Sequence, residues 1–223
     1  MKYYFLTNTA NYVGFSGERL KTHYDIGKAC PNCGTGYKLI GNLIVDKIKT
    51  TLDFFETNSG DFLVSEVFYN DLKRKGIILN GIKKVIDNKT KAELPYYHLF
   101  PAFNFPKMLP DSEGIVTDEQ CLVCKRNGFF DERILPVSPG NPVVDVPRIY
   151  KYNFNEIKDL AQSDIYCTWE HFGYSNLFAQ GKKMIRYARP GLIVTENVKA
   201  TFESLKLGNA KFEEVYLIHI TEA

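Results

Sequence analysis

The stretch DFLVSEVFYNDLKRKGIILNGIKKVI, residues 61–86, returns without a gap as GLIVTENVKATFESLKLGNAKFEEVY, residues 191–216. Leu63 matches Ile193, Val64 matches Val194, Ser65 matches Thr195 and Glu66 matches Glu196. Further along, Phe68, Leu72, Ile77, Ile82 and Val85 fall on Val198, Phe202, Leu207, Phe212 and Val215. Each copy reads as strand, helix, strand. A short apolar strand (Phe62 to Val64; Leu192 to Val194) meets Ser65 or Thr195, a preferred N-cap. Glu66 or Glu196 follows, where the helix dipole favours negative charge. Phe68 and Leu72, like Val198, Phe202 and Leu205, make one buried stripe. Gly76 and Gly208 are stop signals, and second strands follow at Ile82 to Ile86 and Phe212 to Ile218. These residues read as scaffold, because capping and burial account for every match.

Outward from the copies lie less regular stretches. LPYYHLFPAFNFPKMLP (94–110) mixes prolines with aromatics and reads as extended, while ILPVSPGNPVVDVP (134–147) reads as a linker. Residues 153–166 read as one helix capped by Asn153 or Asn155. The expectation is an α+β fold in which two strand–helix–strand repeats build a mixed sheet, residues 1–223 forming one compact unit.

Composition is that of a soluble protein with a real core: 223 residues, 44% hydrophobic and 24% charged. Aromatics are abundant, with 16 Phe and 14 Tyr beside one Trp. The formal net charge is +2, and the basic clusters KRK (73–75) and KKMIRYAR (182–189) are modest, which argues against a dedicated nucleic-acid binder. Polar residues Thr7, Asn8, Thr9 and Asn11 break any signal-peptide core, and no apolar run approaches the roughly 18 residues of a membrane span. The expected compartment is the cytoplasm, with no membrane partner.

Five cysteines stand at 30, 33, 121, 124 and 167. Two C-x-x-C pairs in an unexported chain point to metal rather than to disulfides. In CPNCG the spacing lets Cys30 and Cys33 meet one ion, and Gly34 lets the backbone turn under the sulfurs. Cys121 and Cys124 complete a closed Cys₄ site of the structural zinc type. A zinc-ribbon-like part, 24–41 plus 115–130, then pins the start of the chain to its middle across the first repeat. In CLVCKRNG no glycine directly follows the second pair, so the second knuckle is expected to turn differently. A redox dithiol needs one C-x-x-C at a strand-to-helix junction and leaves the other pair unexplained. Cys167 reads as core. His171 lies near it in sequence, but no P-loop, G-x-S-x-G or H-E-x-x-H accompanies them, and no enzyme is expected.

The CPxCG knuckle, the second C-x-x-C past the middle and the closing [LI]-V-[ST]-E segment resemble the double-CxxCG family of bacterial immunity proteins from contact-dependent, polymorphic toxin systems. The opening MKYYFL and the V-S-E unit are similar to other immunity families of such systems. The resemblance implies a cytoplasmic, non-catalytic protein that binds and neutralises one cognate secreted toxin domain and carries structural Zn²⁺. Aromatics are common anchors of such interfaces. The candidates for toxin contact are Tyr96, Tyr97 and Phe103 in the aromatic segment, and Trp169 and Tyr174 in WEHFGYSN (169–176). The alternative is a zinc ribbon that binds nucleic acid through Lys28, Lys38, Lys125 and Arg126.

Overall fold

A computed structural model describes residues 1–134, 144–175 and 187–220. Most of the linker expected at 134–147, residues 182–186 of the second basic cluster and Asn176 lie outside these. In the first part of the chain the strands are β1 (Tyr3–Asn8), β2 (Phe15–Ser16), β3 (His23–Asp25), β4 (Lys38–Ile40), β5 (Ile44–Asp46), β6 (Phe54–Glu56) and β7 (Phe62–Ser65). Helix α1 (Glu66–Arg74) and strands β8 (Lys83–Asp87) and β9 (Glu93–His98) follow. Next come β10 (Ile115–Val116), β11 (Phe130–Asp131), β12 (Arg133–Ile134), β13 (Val144–Asp145), β14 (Tyr150–Asn153), the single turn α2 (Phe154–Ile157) and β15 (Ile165–Phe172). The chain closes with β16 (Arg189–Thr195), α3 (Glu196–Ser204) and β17 (Ala210–Ile218).

The α+β class holds, but the two repeat copies do not share a sheet. One sheet has the order β14-β17-β1-β16-β15, the other β2-β5-β8-β9-β7-β6. Apart from β2 the orders correspond strand for strand, and so do the directions. β14–β17 and β5–β8 are parallel, and the other neighbours are antiparallel. The registers agree as well. Leu63 and Lys83 both face His98, as Ile193 and Glu213 both face Phe5; Val64 and Lys84 face Tyr97, as Val194 and Glu214 face Tyr4. Tyr96-Tyr97-His98 is therefore the counterpart of Tyr3-Tyr4-Phe5.

The chain is thus a whole-length duplication, β1 to β8 and then β9 to β17, in which each repeat lends its first strand to the other's sheet. β1 sits at the centre of the C-terminal repeat's sheet, and β9 at the centre of the N-terminal one. The edges repeat too. Asp53 accepts the Ser65 backbone N–H at 2.9 Å and the Ser65 hydroxyl. Asp164 does the same for Thr195, at 3.0 Å and 2.7 Å. The helix expected over 153–166 is a single turn; beyond it Asp164 is bound to Thr195 and to the Ile78 N–H (2.8 Å), and the backbone there enters β15.

Both helices lie in the core between the sheets. Phe68 and Leu72 of α1 and Val198 and Phe202 of α3 are buried with Tyr4, Val64, Leu192 and Val194, and the Phe68 and Phe202 rings meet edge to face at 4.6 Å. Ser65 caps α1 by accepting the Phe68 N–H at 3.1 Å. Thr195 makes no such bond, although its hydroxyl donates to Asp164 as the Ser65 hydroxyl does to Asp53. The stop signals differ from expectation in one place. Gly76 does end α1 at φ 77°, but its counterpart after α3 is Lys206, at φ 55°, rather than Gly208. A second core, around Tyr3, Phe5, Phe105, Tyr150 and Tyr152, fills the far face of the β1 sheet.

Candidate metal centre and cleft

Each cysteine pair sits on its own short hairpin, at the same place in each repeat. β3–β4 carries Cys30 and Cys33, and β10–β11 carries Cys121 and Cys124. In both knuckles the N–H four residues on closes a turn onto the first cysteine's carbonyl, Gly34 to Cys30 at 2.8 Å and Lys125 to Cys121 at 2.9 Å. The second knuckle does not turn differently. Lys125 takes up the left-handed conformation, φ 56°, where Gly34 has φ 75°.

The four sulfurs lie within 4.8 Å of one another, with Cys30–Cys121 at 3.9 Å and Cys33–Cys124 at 3.5 Å. None is in a disulfide. A tetrahedral thiolate site with metal–sulfur bonds of about 2.3 Å needs sulfurs about 3.8 Å apart, so the donor set fits one metal ion. Burial would raise the Cys121 thiol. Hydrogen bonds from the Asn32 side-chain amide (3.3 Å) and from the backbone outweigh it and bring the thiol down to about 6. Burial pushes Cys124 up to about 12. Cys121 is thus far readier to ionise than Cys124, and a bound cation would favour the thiolate form of its ligands.

Cys167 stands apart. It is 2% exposed, burial alone pushes its thiol far above the usual range, and its partner is the Pro101 carbonyl at 3.9 Å. Burial, with Arg126 and Arg189 beside it, lowers His171 to about 3.

Most of the aromatic contact candidates are committed to packing. Tyr96 meets Phe55 edge-on at 5.3 Å, and Tyr97 stacks on Tyr69 at 3.7 Å. Phe103 packs on the second core. Trp169 is clasped between Lys107 and Arg126, at 5.4 Å and 5.1 Å. Tyr174 is 48% exposed and leans on Phe130 at 4.7 Å.

Tyr174 and Phe130 belong to the wall of a cleft of about 760 Å³ that no local motif announces. Its lining comes from both repeats: Phe5 and Thr7 of β1, Tyr12, Glu56 at the end of β6, the turn 57–60, and Phe129 beside the second knuckle. At its back the Arg189 guanidinium is buried between Asp61 (2.8 Å) and Glu18 (2.8 Å). Asp61 also accepts the Ser16 hydroxyl at 2.6 Å. Burial would raise Asp61, yet Arg189, His98 and Ser16 together hold it well below the usual carboxylate range.

No helix among the described residues is long and apolar enough to cross a membrane. In comparisons with known proteins, no family model matches the chain and no curated protein matches it.

Proposed function

We propose that the chain is an immunity protein that binds and neutralises a cognate secreted bacterial toxin, without catalysis, and that Zn²⁺ occupies its four-thiol site as a structural ion. The supporting observation is that the two knuckles, one from each repeat, close on a single four-sulfur set. Four protein ligands leave a tetrahedral ion no position for substrate, so the metal serves to join the repeats. Zinc, with no redox chemistry and no geometric demand of its own, suits such a site. Its ligand pattern is the one that carries the resemblance to the double-CxxCG immunity proteins. The nucleic-acid reading gains little support, since Arg126 donates to the Trp169 carbonyl at 3.2 Å and lies on that ring.

The test is co-expression with the C-terminal domain of a large secreted protein encoded beside this gene. Neutralisation requires that cells poisoned by that domain grow when this chain is present and that the two proteins co-purify. Continued killing, together with steeply salt-dependent binding to generic RNA or DNA, would replace the proposal with the nucleic-acid reading. Metal analysis of the purified protein tests the ion: one zinc per chain is expected, and none after zinc is supplied would refute it.

A further inference from the structure

The duplication gives the cleft a built-in comparison. Under the strand correspondence, Phe5 matches His98, Thr7 matches Phe100, Ser59 matches Arg189 and Phe129 matches Tyr37. Those counterparts line a related space that adjoins the cleft across Gly60, Phe62, Arg189 and Pro190, and among the described residues it is nearly full. Phe100 stacks on His98 at 5.3 Å and on Tyr37 at 6.3 Å. The Arg189 guanidinium lies over the Tyr37 ring at 5.9 Å and donates to its hydroxyl at 3.3 Å. The void left beside them is about 10 Å³, barely one water. On the cleft side Thr7 and Ser59 stand where the counterpart has Phe100 and Arg189, Arg189 itself reaching the cleft only at its back, and about 760 Å³ is open among the described residues. Among the described residues, one repeat fills this space with its own aromatic ring and cation, and the other places neither there.

The cleft keeps the complementary walls. Phe5, Phe129 and Phe172 line its floor, and Tyr12 and Tyr174, 60% and 48% exposed, stand among its lining residues. Glu56 supplies an anion with no counter-ion among the described residues. Burial, and next the Asp61 charge, push its carboxyl up to about 7, as expected for an acid that has lost water and gained no cation. The other charges of the lining are engaged: Arg148 with Asp131 and Glu213 (both 2.6 Å), Lys211 with Glu213 (2.9 Å), Arg189 with Asp61 and Glu18 (both 2.8 Å), and Arg133, which also lines the cleft, with a partner of its own.

We propose that this cleft binds an aromatic ring joined to a cationic group, presented by a partner protein as an arginine or lysine beside an aromatic residue. The ring takes the place that Phe100 fills in the other repeat, and the cation neutralises Glu56. That the partner is the toxin rests on the neutralising role proposed above; the chemistry of the cleft does not.

The test uses the full-length, metal-loaded protein and benzamidine, the smallest probe with both features, against benzoate as the ring of opposite charge. In NMR titrations at millimolar concentration, benzamidine is expected to shift the amides of Thr7, Glu56 and Ser59, and benzoate to leave them in place. Glu56→Gln weakens benzamidine about tenfold, the loss of one charged partner. Thr7→Phe, which rebuilds the filled counterpart, abolishes binding in a protein that melts no lower than the wild type. Benzoate binding as tightly, undiminished binding by folded Thr7→Phe, or binding only after residues 176–186 are replaced by a short glycine-serine linker would each overturn the proposal. A toxin domain that co-purifies with wild type but not with Thr7→Phe supports the partner assignment, and one that binds both equally refutes it. Benzamidine binding without any toxin binding upholds the cleft and sinks the neutralising role.

Discussion

Lys206 follows α3 in the left-handed backbone region, φ 55°, at the position where Gly76 follows α1 at φ 77°. The same exchange separates Lys125 from Gly34 in the knuckles. The second repeat therefore holds two lysines in a conformation that costs a side chain about 1–2 kcal/mol, and the surrounding turn hydrogen bonds keep them there.

Lys206→Gly is accordingly expected to stabilise the protein. Relief of the left-handed strain exceeds the extra freedom glycine brings to the unfolded chain, leaving a gain of about 0.5 kcal/mol. Gly76→Lys should cost a comparable amount. Urea midpoints measure both, and a destabilised Lys206→Gly would show that the lysine side chain contributes more than its backbone costs.

On the proposal that one ion joins the two knuckles, breaking either has one consequence. Cys30→Ser and Cys124→Ser should each lose the metal and melt at the same lowered temperature, and a chelator should then have no further effect on either. Cys167→Ser should keep full metal content and lose only a little packing. Stoichiometric metal in Cys30→Ser would mean that the pairs act separately.

β1 is the middle strand of the C-terminal repeat's sheet, between β16 and β17, and Tyr3 to Leu6 are buried. Removing residues 1–8 should therefore unfold residues 189–218, far away in sequence. Hydrogen exchange would read this as lost protection at Ile193 and Val215, and retained protection there would contradict the strand exchange.

Burial, only partly offset by the Met108 N–H (2.7 Å) and the Tyr152 hydroxyl, raises Glu170 to about 7. A raised acid is neutral in both states below its unfolded value and must ionise in the core as pH rises. Stability should thus fall between about pH 4.5 and pH 7, by about 3 kcal/mol in all. Glu170→Gln keeps an acceptor for Met108 and removes the charge. Its stability relative to wild type should grow across that window and level off above it; parallel pH profiles would exclude this origin.

Arg189 is the buried cation that joins Asp61 of one repeat to β16 of the other. Arg189→Met leaves Asp61 and Glu18 buried without it and should cost about 3–5 kcal/mol. Adding Asp61→Asn should recover part of that loss, because the harm lies in the orphaned carboxylate. Purely additive losses in the double variant would argue against this coupling.

Much of this was legible in the residues. The V-[ST]-E copies announced β7–α1–β8 and β16–α3–β17, with Ser65 at its cap, and the C-x-x-C spacing named the four cysteines that converge. The full duplication was harder to read. Its other parts are as short as Tyr3-Tyr4-Phe5 against Tyr96-Tyr97-His98, and the segments between them differ in length. Three aromatic residues in a chain rich in aromatics carry no signal until strand register aligns them. The cleft was invisible for a related reason: it is defined by Thr7 and Ser59, two ordinary residues that matter only because Phe100 and Arg189 occupy the corresponding places.

Local periodicity, capping chemistry and cysteine spacing are properties of neighbouring residues, and the sequence by itself determined them: the α+β class, the repeated strand–helix–strand unit and the four-cysteine set. Which sheet each strand joins depends on backbone hydrogen bonds between segments nearly two hundred residues apart. Only the tertiary structure decided that β1 and β9 change places, that Lys125 and Lys206 stand in for glycines, and that among the described residues one of two related spaces stays open. Register across a sheet is set by burial on both its faces at once, which no single segment encodes.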